Sequence, residues 1–193
     1  MLGVKNIRLL NGKSVTFHLN SGEILFLEGE NGAGKSLLMK SLAKLVPFEV
    51  DEFSFNSSSL TDLRSKMLYL PPTLVCDPEL TVDEFLDEPL SLAIYKDFKM
   101  TFQPREHLEG INLNTKIALL SSGQKQRLAL LRCMSLKAQV LLLDEPFASI
   151  DQGRRLEYVE LLSKWLNGGE RAIIFVTHDE IKFTNIPTRT IRI

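Results

Sequence analysis

Two adjacent carboxylates end the apolar run Val140-Leu141-Leu142-Leu143-Asp144-Glu145, and far upstream Gly29-Glu30-Asn31-Gly32-Ala33-Gly34-Lys35-Ser36 gathers glycines, an ammonium and a hydroxyl. The upstream stretch fits the phosphate-binding pattern G-x-x-x-x-G-K-[ST] with no mismatch. Glycines let the backbone turn its N–H groups inward around a polyphosphate, and a helix start adds its positive dipole end. Lys35 is placed to reach β- and γ-phosphates, and Ser36 to offer a hydroxyl to Mg²⁺. Asp144 can hold the same ion, directly or through water, while Glu145 can orient and polarise an attacking water. Successive strand side chains point to opposite sides, so the two carboxylates need not share one task.

These groups need a strand on each side of the site and a helix behind the loop. Residues 23–28 read as the strand entering the loop and 37–43 as the helix leaving it, ending near Pro47 because the residue before a proline is pushed out of the α region. Val140–Leu143 is a continuous apolar strand, the type buried on both faces of a parallel sheet, whose C-terminal end is where ligands bind. Residues 2–9 and 14–19 form a hairpin about Asn11-Gly12, with Val15, Phe17 and Leu19 inward and His18 at the surface. Residues 50–55 are expected as an edge strand, followed by a loop at 56–59 that caps a short helix through Arg64. Met67–Leu70 is a strand stopped by Pro71-Pro72. Between 73 and 119 no convincing strand occurs: Thr81-Val82-Asp83-Glu84 is a capping box that turns Phe85 and Leu86 inward, Pro89 breaks the helix, and Pro104–Leu108 adds a turn with His107 solvated. Beyond Ser121 the α/β alternation resumes. A helix over 122–136 has Leu128, Leu131 and Leu136 apolar and Lys125, Arg127, Arg132 and Lys137 polar. A helix over 154–166 ends at Asn167-Gly168-Gly169, 172–176 is a buried strand, and 188–193 closes an edge.

At 193 residues the chain can bury one full core with a small inserted lobe. A net charge of -1, with no basic run, gives no electrostatic ground for a nucleic-acid partner. Its apolar runs fall far short of the roughly 20 residues that span a bilayer. Lys5, Asn6 and Arg8 interrupt any signal-peptide core, so the chain is expected to stay where it is made. Cys76 and Cys133 show neither C-x-x-C spacing nor a nearby histidine and read as buried or incidental thiols.

Leu120-Ser121-Ser122-Gly123-Gln124 stands one helix before the 140–145 strand, Ser149-Ile150-Asp151 just after it, and Val176-Thr177-His178-Asp179 ends the next strand. With these pieces the chain resembles an ATP-binding cassette (ABC) ATPase. Residues 29–36 look like Walker A, 140–145 like Walker B with its catalytic glutamate, and Ser121, Ser122, Gly123 and Gln124 like the L-S-G-G-Q signature. Asp151 looks like the D-loop aspartate and His178 like the switch histidine, all in family order over essentially the whole chain. The resemblance implies a P-loop NTPase of ABC type: a mostly parallel α/β sheet flanked by helices, with an antiparallel N-terminal β portion. Residues 1–72 and 120–193 would make the RecA-like core, and 73–119 a helical subdomain inserted within the single domain 1–193. It further implies ATP with Mg²⁺ as ligand, held by residues 29–36 and Leu37, with Ser36 and Asp144 on the metal. Two cassettes, a homodimer or pseudo-dimer, would meet head to tail so that the signature of one faces the γ-phosphate on the other. Glu145 would act on the water, His178 would contact the γ-phosphate, and hydrolysis would open the pair. A separately encoded transmembrane permease would dock between the main domain and residues 73–110, placing the chain in the cytoplasm on the inner face of the membrane. The stretch 28–36 and the compact chain are similar to the small ATPase subunit of haem exporters of the cytochrome c maturation type.

Three departures stand out. The family glutamine that touches Mg²⁺ or water after the 67–70 strand is Pro72 here, which offers neither a side-chain amide nor a backbone N–H. No aromatic residue precedes Thr16 to stack on adenine, and Phe17 fits the core better. Ser122 replaces a glycine in the signature. Two other readings therefore stay open at this level: a soluble ABC-type protein acting on nucleic acid or ribosomes, and a regulatory module that binds nucleotide without turnover.

Overall fold

A computed structural model describes residues 1–56, 66–87, 103–136 and 138–193. Its centre is a wholly parallel sheet of β5 (Met67–Leu70), β6 (Val140–Asp144), β7 (Ala172–Val176), β3 (Ile24–Glu28) and β8 (Thr188–Arg192), in that spatial order. A second sheet, antiparallel, sets β1 (Leu2–Arg8) between β2 (Ser14–Leu19) and β4 (Glu52–Phe55). The expected hairpin is present, with Phe17 buried in it and His18 exposed.

The parallel sheet is covered on both faces at its centre, where β6 and β7 are buried at every position and β7 is apolar throughout. Leu141, Leu143, Ile173 and Phe175 pack on one side with α3 (Ser122–Ser135) and α4 (Gln152–Leu166). Val140, Leu142, Ile174 and Val176 pack on the other with α1 (Lys35–Leu42) and the inner face of the antiparallel sheet. Between β5 and α3 the described residues form α2 (Val82–Asp87) and 3-10 turns at Pro104–His107 and Ile117–Leu119. The capping box of α2 is formed: Thr81 N–H donates to Glu84 and Glu84 N–H to Thr81 Oγ1, and Phe85 and Leu86 are buried. Arg105 clamps the 3-10 turn to α2 through Asp83 and Asp87 at 2.7 and 2.9 Å. The expected cap at 57–59 with Arg64, the break at Pro89 and the polar Lys137 lie outside the described residues.

Local chemistry differs from the sequence expectation at three places. The helix after the loop stops at Leu42, well before Pro47. Lys44 adopts φ +56°, its N–H reaches Ser41 O and that of Leu45 reaches Lys40 O, each at 2.9 Å, which is a Schellman closure with lysine at the glycine position. His107 is half-buried rather than solvated. Arg127, expected on a polar face, is only 7% exposed. Leu130, Leu131 and Met134 follow it at helical spacing and are all buried, so position 127 lies on the core face. The guanidinium is satisfied there by Tyr158 Oη at 2.8 Å and Glu109 O at 3.0 Å, tying α3 to α4 and to the inserted region.

Tyr158→Phe removes the acceptor from a buried charged donor. The expected loss is about 1.5–3 kcal/mol of unfolding free energy, the scale of a hydrogen bond to a charged group, read by urea denaturation; a loss below about 0.5 kcal/mol, the size of an ordinary surface change, would show the guanidinium finds another acceptor.

Candidate functional site

The loop between β3 and α1 depends on backbone conformations that side chains resist. Gly32 and Gly34 take φ +80° and +109°, and a Cβ at Gly29 would lie 2.7 Å from the carbonyl oxygen of Ile193. Gly34 is the N-cap of α1 and gives it no side-chain cap. The first-turn N–H groups therefore line a cavity of about 400 Å³ bounded by residues 31–37, Asn11, Pro72, Asp144, Glu145, Val176 and His178. Lys35 is 8% exposed, and its Nζ donates to Gly29 O at 2.7 Å and Glu30 O at 3.0 Å. Two of its three donors are so engaged, and the third is left for a ligand.

Across the cavity stand the two carboxylates, aligned by pairing of Asp144 with Val176 in the parallel register. Asp144 is 1% exposed and accepts a hydrogen bond from Tyr69 Oη at 2.9 Å. Burial first, then the neighbouring Asp144, pushes the Tyr69 pKa up, so the phenol stays a donor. Among the described residues no cation lies within ion-pair distance of Asp144. A buried carboxylate facing a cavity with only a neutral donor fits a divalent cation, and Ser36, which lines the same cavity from the start of α1, adds a hydroxyl.

Glu145 takes φ +51°, a left-handed geometry costing on the order of 1 kcal/mol for a residue with a side chain. The backbone is held there by Glu145 N–H to Val176 O at 2.9 Å, Ala148 N–H to Glu145 O at 3.2 Å, and the buried Gln126 amide to the same carbonyl at 3.5 Å. Burial raises its carboxyl pKa, and the nearby His178 offsets part of the rise. Its Oε1 lies 3.4 Å from His178 Nε2 without a hydrogen bond; the His178 side chain is 64% exposed.

The remaining predicted residues sit elsewhere on the chain. Gly29 and Glu30, with Arg192, border an adjoining hollow that shares Lys35 and His178 with the cavity. Ser121 caps α3 and is exposed; Gln124 N–H donates to its Oγ at 3.2 Å while Gln124 Oε1 accepts from Ser121 N–H at 2.9 Å. A Cβ at Gly123 would collide with the carbonyl of Ser149, so this glycine is what lets the 149–151 loop lie against α3. Asp151 is the exposed N-cap of α4. Ser121, Ser122, Gly123, Gln124 and Asp151 line none of the cavity that holds Lys35, Asp144, Glu145 and His178. The sequence reading overlooked Tyr69, Gln126, Asn11 and Arg155. Arg155 donates to Ile150 O at 2.9 Å and pairs with Asp179 at 2.9 Å, joining the loop before α4 to the turn carrying His178.

Residues 12–148 match the family described as ABC transporter. Over 177 residues the chain is 31% identical to the manganese transport system ATP-binding protein MntB of Listeria innocua, an overlap of 86% of this chain and 72% of that protein. It is 32% identical to the cytochrome c biogenesis ATP-binding export protein CcmA of Dechloromonas aromatica, across 100% of this chain and 98% of the relative. A dimeric ATP-binding cassette in a post-hydrolysis state, bound to ADP and Pi, superposes with a TM-score of 0.75 at 22% identity, covering 93% of this chain and 88% of that one.

A raised carboxyl pKa at Glu145 means that the folded chain holds this proton more tightly than the unfolded chain. Ionisation of Glu145 therefore weakens the fold as pH rises through the raised value. Glu145→Gln is expected to increase the melting temperature at pH 7.5, with the difference from wild type shrinking as pH falls toward the carboxylate range. A difference that stays constant across a pH series of thermal melts would contradict the desolvated carboxylate.

Proposed function

The chain belongs to the ABC transporter family of ATP-binding proteins, and on that footing we propose that it is the ATP-hydrolysing subunit of a transporter, driving a separate membrane permease. The observation that carries this reading is one cavity bringing together the glycine loop, Lys35, Asp144, Glu145 and His178 at the C-terminal ends of β3, β6 and β7. In parallel α/β sheets this edge is the ligand side.

ATP would lie with its phosphates on the loop of residues 29–36 and the first turn of α1, where unpaired N–H groups and the free donor of Lys35 meet negative charge. Ser36 and Asp144 would hold Mg²⁺, which neutralises charge on the β- and γ-phosphate oxygens when bound. Glu145, already desolvated, would orient the attacking water and take its proton. His178 would contact the γ-phosphate from its exposed turn. The signature at Ser121–Gln124 and Asp151 stay outside the cavity of their own chain, which supports their acting on a second copy. In a head-to-tail pair the capped N-terminus of α3 would close the partner's phosphate site. No described helix is long and apolar enough to cross a membrane, so the transport path would belong to the permease, with this chain at its cytoplasmic face. Cargo selection would lie with that subunit; CcmA similarity over nearly the full length is the support for an export role in cytochrome c biogenesis. Pro72, on the cavity wall where the family glutamine is expected, favours the second reading of a cassette that binds nucleotide without turnover.

Turnover separates these readings. Glu145→Gln is expected to lower Mg-ATP hydrolysis about 10²- to 10⁴-fold, the range for loss of a general base, and to accumulate an ATP-dependent dimer by sedimentation. Equal rates in wild type and variant would remove Glu145 from the mechanism. Mg-ATP at about 100 times its Kd should stabilise the fold by about 2.7 kcal/mol, and a thermal shift of zero would defeat nucleotide binding itself.

A further inference from the structure

Tyr69 lies on β5 opposite Leu142 in the parallel register, and its side chain packs with Leu142 in the α1-side core layer. Asp144 follows Leu142 by two residues and so projects from that same face. The phenol thereby reaches one strand across and donates to Asp144 Oδ2 at 2.9 Å. A half-buried phenol usually finds some acceptor. What distinguishes this one is the acceptor it meets: a carboxylate 1% exposed, without an ion-pair partner among the described residues, at the wall of the phosphate cavity.

β5 ends at Leu70, and the chain continues through Pro71 to Pro72, which stands three residues beyond Tyr69 and lines the cavity as well. Proline has no side-chain amide and no N–H, so Pro72 cannot contact a metal-bound water or phosphate by donating a hydrogen bond. Among the described residues, Tyr69 is the group of β5 hydrogen-bonded to the proposed metal-ligand set.

We infer that Tyr69 is a positioning residue for the divalent cation of bound ATP, holding the Asp144 carboxylate in a fixed plane and linking the nucleotide to the β5–Pro72 segment through its hydroxyl. One oxygen of Asp144 is occupied and oriented by the phenol, leaving the other free for the ion or its water shell. The inference rests on the reading of Asp144 as a metal ligand.

The test measures ATP affinity by equilibrium dialysis, with excess Mg²⁺ and with EDTA, in wild type, Tyr69→Phe, Tyr69→Met and Asp144→Asn. Loss of the phenol should weaken Mg-ATP binding about 5- to 10-fold, the scale of one ordinary net hydrogen bond, while metal-free ATP affinity stays within about twofold, the allowance for a change that removes no contact to the nucleotide. A metal-selective loss in either folded tyrosine variant supports the role. Equal weakening with and without Mg²⁺, or no weakening in either condition, overturns it. Asp144→Asn separates the two layers: if this variant keeps the full Mg²⁺ enhancement, Asp144 is not the metal ligand and the underlying reading fails. If Asp144→Asn loses the enhancement and both tyrosine variants keep it, only the role of Tyr69 falls.

Discussion

Everything at the candidate site hangs on β6 being clamped edge to edge between β5 and β7 while both of its faces are buried. All five of its residues are buried, with Leu141 and Leu143 serving one core layer and Val140 and Leu142 the other. A slip of one residue would turn Asp144 from the α1 side toward α3 and α4, and would expose the two layers to the wrong partners. Apolar packing thus enforces the placement of two charges that packing itself disfavours. The same register sets Glu145 N–H on Val176 O, which fixes how far His178 stands from the Glu145 carboxylate.

The local electrostatics are left deliberately unbalanced. Asp144 has a neutral phenol for company, Lys35 is held by carbonyls rather than by a carboxylate, and Glu145 is desolvated next to an exposed histidine. Had Lys35 and Asp144 paired, the fold would gain an ion pair and the cavity would lose both the cation proposed to meet phosphate and the carboxylate proposed to hold a metal. The carbonyls of Gly29 and Glu30 prevent this by giving the ammonium a weaker, dispensable set of acceptors.

Features set by a local pattern were readable from residues alone. The strand–loop–helix context of 29–36, the apolar run into Asp144, and the capping residues of α2 each follow from a local pattern that tertiary structure does not need to modify. Arg127, Lys44 and Tyr69 were not readable in that way. Arg127 is polar by type but stands in helical phase with Leu131 and Met134, and its burial is made tolerable by acceptors on Tyr158 and Glu109, thirty-one and eighteen residues away. Lys44 ends a helix in a conformation that residue preference assigns to glycine. Tyr69 sits inside what reads as a plain apolar strand, and its partner is 75 residues distant. Side-chain pairings of that range have no signature in the order of residues.

The left-handed backbone at Glu145 bears on how such a chain would age under mutation. Glycine would relieve the dihedral strain at that position, and glutamine the desolvated charge, so the two simplest replacements both ease the fold. Drift without selection on the reaction should empty this position of its carboxylate. Glutamate at position 145 thus carries a cost to the fold that a cassette binding nucleotide without turnover would have no reason to bear, and this weighs against that reading as Pro72 weighs for it.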